Sequence, residues 1–237
     1  MAFQVSPGVQ VKEIDATSVV PAVSTSIGGF AGSFNWGPVE QVVSVSSEKE
    51  LLSIFGTPDD NTALYFLTAG AFLKYGNALK VVRAASGHDN ATADGSGLLI
   101  KNDDDYTNNG YDGGAGSVGQ WAAKFPGDLG NSLKVEMVTA DVTTTNYDNW
   151  AFNGQFDGKP GTSDYALNLG RGASYNDEVH VIVIDEDGLI TGAANTVLET
   201  FAFMSIGSDA KANDGTSNYY VDVINSKSDW IRWMDHK

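Results

Sequence analysis

Apolar and polar positions along the chain change rhythm several times, and each rhythm predicts an element. Residues 1–20 (MAFQVSPGVQVKEIDATSVV) read as an extended arm. Val9 and Val11 alternate with polar neighbours at the period of a strand, Ile14 falls out of that phase, and Pro7-Gly8 and Pro21 punctuate the two ends. A lone strand carries unpaired backbone donors and acceptors. The arm therefore needs a sheet edge, in its own domain or in another subunit.

Residues 21–85 predict a compact α/β layer. A small, apolar run over 23–32 suits a buried strand. Ser47 stands three residues before Glu50, the spacing of an N-cap and its capping-box partner, ahead of Leu51, Leu52, Ile54 and Phe55. Gly56 supplies the stop. A second helix is expected over residues 61–75, where Leu64, Leu67, Ala71 and Tyr75 recur at three- and four-residue spacing as an apolar stripe. Gly70 weakens that helix and Gly76 ends it. Residues 80–85 read as the next strand.

Beyond residue 85 the pattern loosens. Gly, Asn, Asp and Ser dominate 86–123, which predicts a surface loop region or an irregular β insertion. Leu133, Val135 and Met137 then alternate with polar residues in a strand over 132–139. Residues 140–176 are polar, glycine-rich and studded with aromatics. A strong strand follows over 178–184, with Val179, Val181 and Val183 on one side, and Asp187-Gly188 is a hairpin-type turn returning through Leu189 and Ile190. Residues 196–206 fit a strand or a helix, and 219–224 (YYVDVI) read as a strand. Only three residues follow Trp230, Ile231, Arg232, Trp233 and Met234, so the chain reads as continuing into a larger structure. The predicted organisation is an arm (1–20), an α/β segment (21–85), an insertion (86–123) and a β-rich continuation (124–237). No repeat of fixed period is present.

Composition narrows the function classes. The 237 residues fit one large domain or two small ones, with a core of ordinary depth. Asp and Glu number 30 against 14 Lys and Arg, a net charge of −16, which opposes binding to nucleic acid or anionic lipid. The chain has no cysteine, hence no disulfide, thiolate metal site or cysteine nucleophile, which suits folding in a reducing cytoplasm. Its amino end lacks the basic and apolar regions of a signal peptide, and no apolar run approaches the roughly 18 residues that span a bilayer. No membrane insertion is expected.

Candidate chemistry is sparse. Gly114-Ala115-Gly116-Ser117-Val118-Gly119 matches a dinucleotide fingerprint, yet it sits in a glycine-rich stretch without the preceding strand and following helix that such a site requires. Asp103-Asp104-Asp105 with Asn109-Gly110 hints at a calcium loop, but the twelfth position from Asp105 is Gly116 and not a glutamate, so a solvated loop is expected. His88, His180 and His236 lie far apart. His180, on the strand face of Ile182 and Ile184, reads as a hydrogen-bonded structural histidine. Neither a zincin nor a nucleophile-elbow motif occurs, and Asn90-Ala91-Thr92 is a sequon without a secretory context. No catalytic residue, cofactor or metal is predicted.

Taken in order, several blocks resemble the tail sheath proteins of contractile-tailed phages, the long-tailed branch above all. Ser6-Pro7-Gly8-Val9 with Glu13 resembles the family's opening S-P-G-V-x-x-x-E. Phe34-Asn35-Trp36-Gly37-Pro38 resembles its F-x-W-G-P turn. Phe55-Gly56-Thr57-Pro58, Phe72-Leu73-Lys74-Tyr75-Gly76-Asn77 and Val81-Val82-Arg83-Ala84 follow in sequence, and Pro126-Gly127-Asp128-Leu129-Gly130-Asn131 resembles the family's P-G-x-x-G-N/D turn. The resemblance covers residues 1–85 and 124–138. It implies a mixed α/β sheath-type layer with a loop-rich insertion. It also implies a non-catalytic virion protein that stacks as hexameric rings around the tail tube and contracts to drive the tube through the host envelope. The implied partners are neighbouring sheath subunits, the tail tube protein, and the baseplate and terminator proteins, after assembly in the host cytoplasm. In that family the arm completes a sheet in a neighbouring subunit, a role that would fall here to Ser6, Pro7, Gly8, Val9, Val11, Glu13 and Ile14. Phe34, Trp36, Gly37, Pro38, Phe55, Gly56, Tyr75, Gly76, Pro126, Gly127 and Gly130 would form its structural turns. Sheath subunits of that branch are much longer, so the chain reads as an amino-terminal portion without the inner domain. Sheaths of related contractile injection systems share the architecture. A rival reading is a phage surface module that stacks carbohydrate on Tyr106, Tyr111, Trp121, Tyr147, Trp150, Phe152 and Phe156.

Overall fold

The computed structural model describes residues 27–114, 117–140 and 147–236. The expected arm and its residues Ser6 to Ile14 lie outside the described residues, as does the start of the strand expected over 23–32. Among the described residues the fold is mixed α/β.

The first layer is a three-stranded sheet of β1 (Gly28–Gly32), β2 (Val42–Val45) and β3 (Leu79–Arg83), in the order β1-β3-β2. Strand β3 runs parallel to β1 and antiparallel to β2, so Val81 faces Phe30 on one side and Val43 on the other. Strand β2 has only four residues and no clean alternation, which hid it in the sequence. Helices α1 (Glu48–Phe55) and α2 (Ala63–Leu73) pack on this sheet and bury Leu51, Phe55, Phe66 and Ala69 against Phe34, Val45, Leu79 and Val81. The Ser47 hydroxyl accepts from the Glu50 amide at 3.2 Å, as the spacing required. The Glu50 carboxylate reaches back to the Ser46 amide at 2.8 Å, one residue earlier than a standard capping box. Gly56, at φ 77°, closes the helix with its amide on the Leu52 carbonyl.

Helix α2 forms where expected but turns the other way. Its stripe of Leu64, Leu67, Ala71 and Tyr75 faces solvent, while Phe66 and Ala69 face the sheet and Gly70 faces Glu48 at the start of α1. The sequence ALYFLTAGAFL is apolar on every side, so spacing alone could not choose the buried face. Gly28 and Gly32 decide it, because a Cβ at either would meet Phe72 or Tyr65 within 3 Å.

The second layer is the antiparallel sheet β5 (Leu133–Thr139), β6 (Glu178–Asp185) and β7 (Thr196–Ser205), in that order. Residues 196–206, open between strand and helix, are thus a strand. Val179, Val181 and Val183 enter a core with Met204, Ile224, Ile231 and Trp233. His180, Ile182 and Ile184 face the opposite side, roofed by Trp150 and the half-buried Tyr147, Phe152 and Phe156. Helix α4 (Asp164–Asn168), unannounced by any apolar period, is capped by the Ser163 hydroxyl.

Three expectations fail here. The segment 219–224 is not a strand but the start of α5 (Tyr220–Lys227), where Tyr220, Val221, Val223 and Ile224 bury one helical face. Six residues rich in β-branched side chains read equally well at either period. The return from Asp187-Gly188 does not run through Leu189 and Ile190, since β7 begins only at Thr196. The Asp185 carboxylate draws the turn inward by accepting from the Ile190 and Thr191 amides and the Thr191 hydroxyl. Asp103-Asp104-Asp105 is not a solvated loop but the first turn of α3 (Asp103–Asn108), with Asn102 as N-cap. Three carboxylates at a helix amino end are favoured by the free amides and the helix dipole.

The insertion holds α3 and β4 (Trp121–Ala123), which pairs antiparallel with β8 (Ile231–Trp233). A small core of Ile100, Tyr106, Val118, Ala122 and Met234 supports it. The Asn90 side chain is buried, donating to the Ile100 and Ala123 carbonyls and accepting from the Ile100 amide. A sequon with its amide so enclosed offers no acceptor surface.

Candidate functional site

Most of the family-type turns meet at one buried junction between the first layer and the rest of the chain. Residues 34–38 leave β1 as a tight turn, and Gly37 adopts φ 97°, a region closed to most side chains. A Cβ there would lie 2.8 Å from the Ile54 carbonyl oxygen. The turn presents the Phe34, Asn35 and Gly37 carbonyls inward, and Arg83, the last residue of β3, reaches all three. Its Nε donates to Phe34 O at 2.8 Å, Nη1 to Gly37 O at 2.7 Å, and Nη2 to Pro126 O at 2.7 Å with a longer contact to Asn35 O.

Arg83 is 2% exposed, and among the described residues its guanidinium has no carboxylate partner. Burial lowers its pKa to about 10. It stays protonated near neutrality, so among the described residues a full positive charge is held by carbonyl dipoles.

Trp36 fills the other side of the junction. Its amide donates to Phe55 O at 3.1 Å, and its ring packs 5.6 Å from Phe125 and 5.0 Å from Trp230. Phe34 packs on Phe55 at 4.7 Å. A Cβ on Gly56 would press on Trp36, and one on Gly127, at φ 136°, would stand 3.0 Å from Arg83 Nη2. Pro38 is buried beside them. Gly130 lies just beyond, where a Cβ would meet Ala123 at 2.8 Å.

Phe34, Trp36, Gly37, Pro38, Phe55, Gly56, Pro126 and Gly127 are thus brought together. Tyr75 and Gly76 are not; they cap the far end of α2, with Tyr75 fully in solvent. Two participants carried no role in the sequence reading. Arg83 entered only within the strand over 80–85 and the family-type block Val81-Val82-Arg83-Ala84, and Trp230 only as an aromatic near the carboxyl end.

The remaining candidates are structural. His180 is fully buried, stacked on Phe156 at 4.4 Å. Its Nδ1 accepts from the Phe203 amide at 3.0 Å, freed where β7 bulges, and the network assigns the proton to Nε2, facing Gly158 O at 2.9 Å. Burial lowers its pKa, outweighing the Gly158 bond that favours the cation. Arg232 reaches from β8 to Asp103 at 2.6 Å and lies 4.8 Å from the Tyr106 ring centroid. Gly114 follows a 3-10 turn and Gly119 leads into β4, so the dinucleotide pattern has neither its strand nor its helix. The aromatics of the rival carbohydrate reading are buried or half-buried against the body, Tyr106, Trp121 and Trp150 most deeply. An open cleft of about 460 Å³ beside the junction is lined by Asn35, Asp59, Thr62, Arg83, His88 and Asp128. Asp59 there accepts from the Asn61 and Thr62 amides and the Thr62 hydroxyl. Among the described residues no three His, Asp or Glu side chains are placed to hold a metal.

Comparison with known proteins places these residues. A family model described as the tail sheath protein Gp18 domain III N-terminal region matches residues 25–84, the first layer with its arginine. The chain is 43% identical over 142 residues to the tail sheath protein of Enterobacteria phage T4, covering 59% of this chain and 19% of that protein. It is 30% identical over 199 residues to the tail sheath protein of Salmonella phage ViI, covering 83% and 28%. A 78-residue stretch is 46% identical to the tail sheath protein of Vibrio phage KVP40, covering 33% and 12%. The matched stretches thus span less than a third of those relatives. A sheath tail protein structure from Listeria innocua aligns over 89% of this chain and 30% of its own at 12% identity and a TM-score of 0.39.

Proposed function

Starting from a chain that belongs to the tail sheath family of contractile-tailed phages, we propose that it is a mechanical, non-catalytic part of the sheath, polymerising with its own copies as stacked rings around a tail tube. Contraction would turn subunits as rigid bodies while extended arms keep neighbours linked. In this reading residues 1–20 are the arm, 21–85 the α/β segment, 86–123 an insertion and 124–237 its β-rich continuation. Tube, baseplate and terminator proteins are its further partners, and the virion tail its location after assembly in the host cytoplasm.

The observation that carries the reading is the junction at Arg83. The family-type turns, far apart in sequence, close on one buried cation, which welds the first layer to the second and suits a body that must transmit force without deforming. Strand β1, into which the arm leads, is an edge strand of its sheet.

Electron microscopy of the longest natural form of the protein tests this, comparing it with a form lacking residues 1–20. Tubes of stacked rings from the intact protein are expected. The shortened form should keep its circular dichroism and thermal transition and make no tubes. Normal tubes from the shortened form would refute the role given to the arm.

A further inference from the structure

We propose that the outer face of α2 is a contact surface for a second copy of this chain, an assignment that rests on the self-assembling reading above. Leu64 is 74% exposed, Leu67 63% and Tyr75 96%, and with Thr68 and Ala71 they form one stripe along the helix. These side chains recur at the i, i+3, i+7 and i+11 spacing of a docking face, yet nothing among the described residues covers them. Scattered exposed leucines need no explanation, but a contiguous stripe does.

Charge selects the occupant. Two copies at a net charge of −16 repel wherever their surfaces carry that charge. The thirteen residues from 61 to 73 contain no Asp, Glu, Lys or Arg. Here two acidic molecules can meet on apolar area without bringing like charges together, so the contact adds burial at little electrostatic cost. A basic partner would instead be drawn to the acidic surface elsewhere. The face is also stiff: Phe66, Phe72 and Leu73 clamp its back to the sheet, and the Thr68 hydroxyl is turned onto the Leu64 carbonyl at 2.7 Å. Little backbone order remains to be imposed on binding.

Sedimentation velocity on the 237-residue chain, with footprinting of Tyr65 and Tyr75, tests the assignment. Concentration-dependent association of the unaltered chain is expected, with Tyr75 labelled in dilute protein and protected in the associated form. Leu64→Glu with Leu67→Glu should weaken association by roughly tenfold or more. Tyr75→Glu, just past the helix in open solvent, should weaken it without touching the fold, and Leu189→Glu should leave it unchanged. Association undiminished in both α2 variants would overturn this surface while leaving the sheath reading intact. A chain that stays monomeric at every concentration reached would also overturn this surface, whereas the sheath reading falls only if the longest natural form makes no tubes. Protection of Tyr75 already in the dilute monomer would show the face covered by its own chain, and so also overturn the proposal.

Discussion

The Nη2 of Arg83 donates to the carbonyl of Pro126 at 2.7 Å, a bond that bridges 43 positions of the chain. It joins the end of β3 to the turn that leads into β5, and so couples the first layer to the second. A lysine could not do this. Its single ammonium cannot replace a planar fork that serves Phe34, Gly37 and Pro126 at once.

Arg83→Met should therefore destabilise the chain by about 2–4 kcal/mol, because three buried carbonyls lose charge-assisted bonds. Arg83→Lys should recover less than half of that loss. Urea unfolding, followed by tryptophan fluorescence, measures both; a silent Arg83→Lys would remove the geometric argument.

Gly37 and Gly29 make an internal control. Gly37→Ala combines a φ of 97° with a Cβ 2.8 Å from the Ile54 carbonyl, and should cost about 2–3 kcal/mol. Gly29 has open space around a built Cβ and no positive φ, so Gly29→Ala should be neutral or stabilising by about 0.5 kcal/mol. Thermal midpoints of the two variants should move in opposite directions or differ by several degrees.

Trp36 and Trp230 pack 5.0 Å apart from opposite parts of the chain. Trp36→Ala should lower stability by about 3–5 kcal/mol through the cavity it leaves. Because both rings line one site, Trp36→Ala with Trp230→Ala should cost clearly less than the sum of the single changes. Additive losses in a double-mutant cycle would show that the two rings act independently.

Acid should weaken the fold in two stages. The folded-state pKa of His180 is depressed by burial, which outweighs the Gly158 bond that favours the cation. Its contribution is complete above the unfolded histidine value of about 6.5 and is lost as the pH falls below it toward the folded pKa. Burial raises the Asp185 carboxyl, but bonds from Ser132, Thr191 and Ile190 outweigh it and hold the pKa low. Asp177 behaves likewise, with burial outweighed by Ser205 and Ser163. Their contribution is present above about 3.9 and is lost as pH falls through the depressed folded values. Urea midpoints between pH 8 and 3 (roughly the window set by those reference values) should show both declines. His180→Gln should flatten the upper one alone.

Local signals in the sequence were read where one principle acted alone. Ser47, Glu50 and Gly56 bounded α1 because caps answer to a few neighbouring backbone groups. Val179, Val181 and Val183 declared β6, and the weak context of Gly114 to Gly119 excluded a nucleotide site. Readings failed where two periods fitted equally. The segment at Tyr220 is too short to separate helix from strand, and α2 is too uniformly apolar to name its buried side. The turn residues Phe34, Trp36, Gly37, Pro126 and Gly127 were recognisable as blocks, but nothing in their order said that they touch.

The sequence by itself determined α1 and its caps, the course of α2, the strands β3, β5 and β6, the acid excess and the likeness to sheath proteins, all of which depend on near neighbours or on composition. Only the tertiary structure decided that Arg83 binds two distant turns, that Trp230 packs against Trp36, and that the stripe of α2 looks outward. Each of those depends on which surfaces meet, and burial is settled by the whole fold rather than by any window of residues.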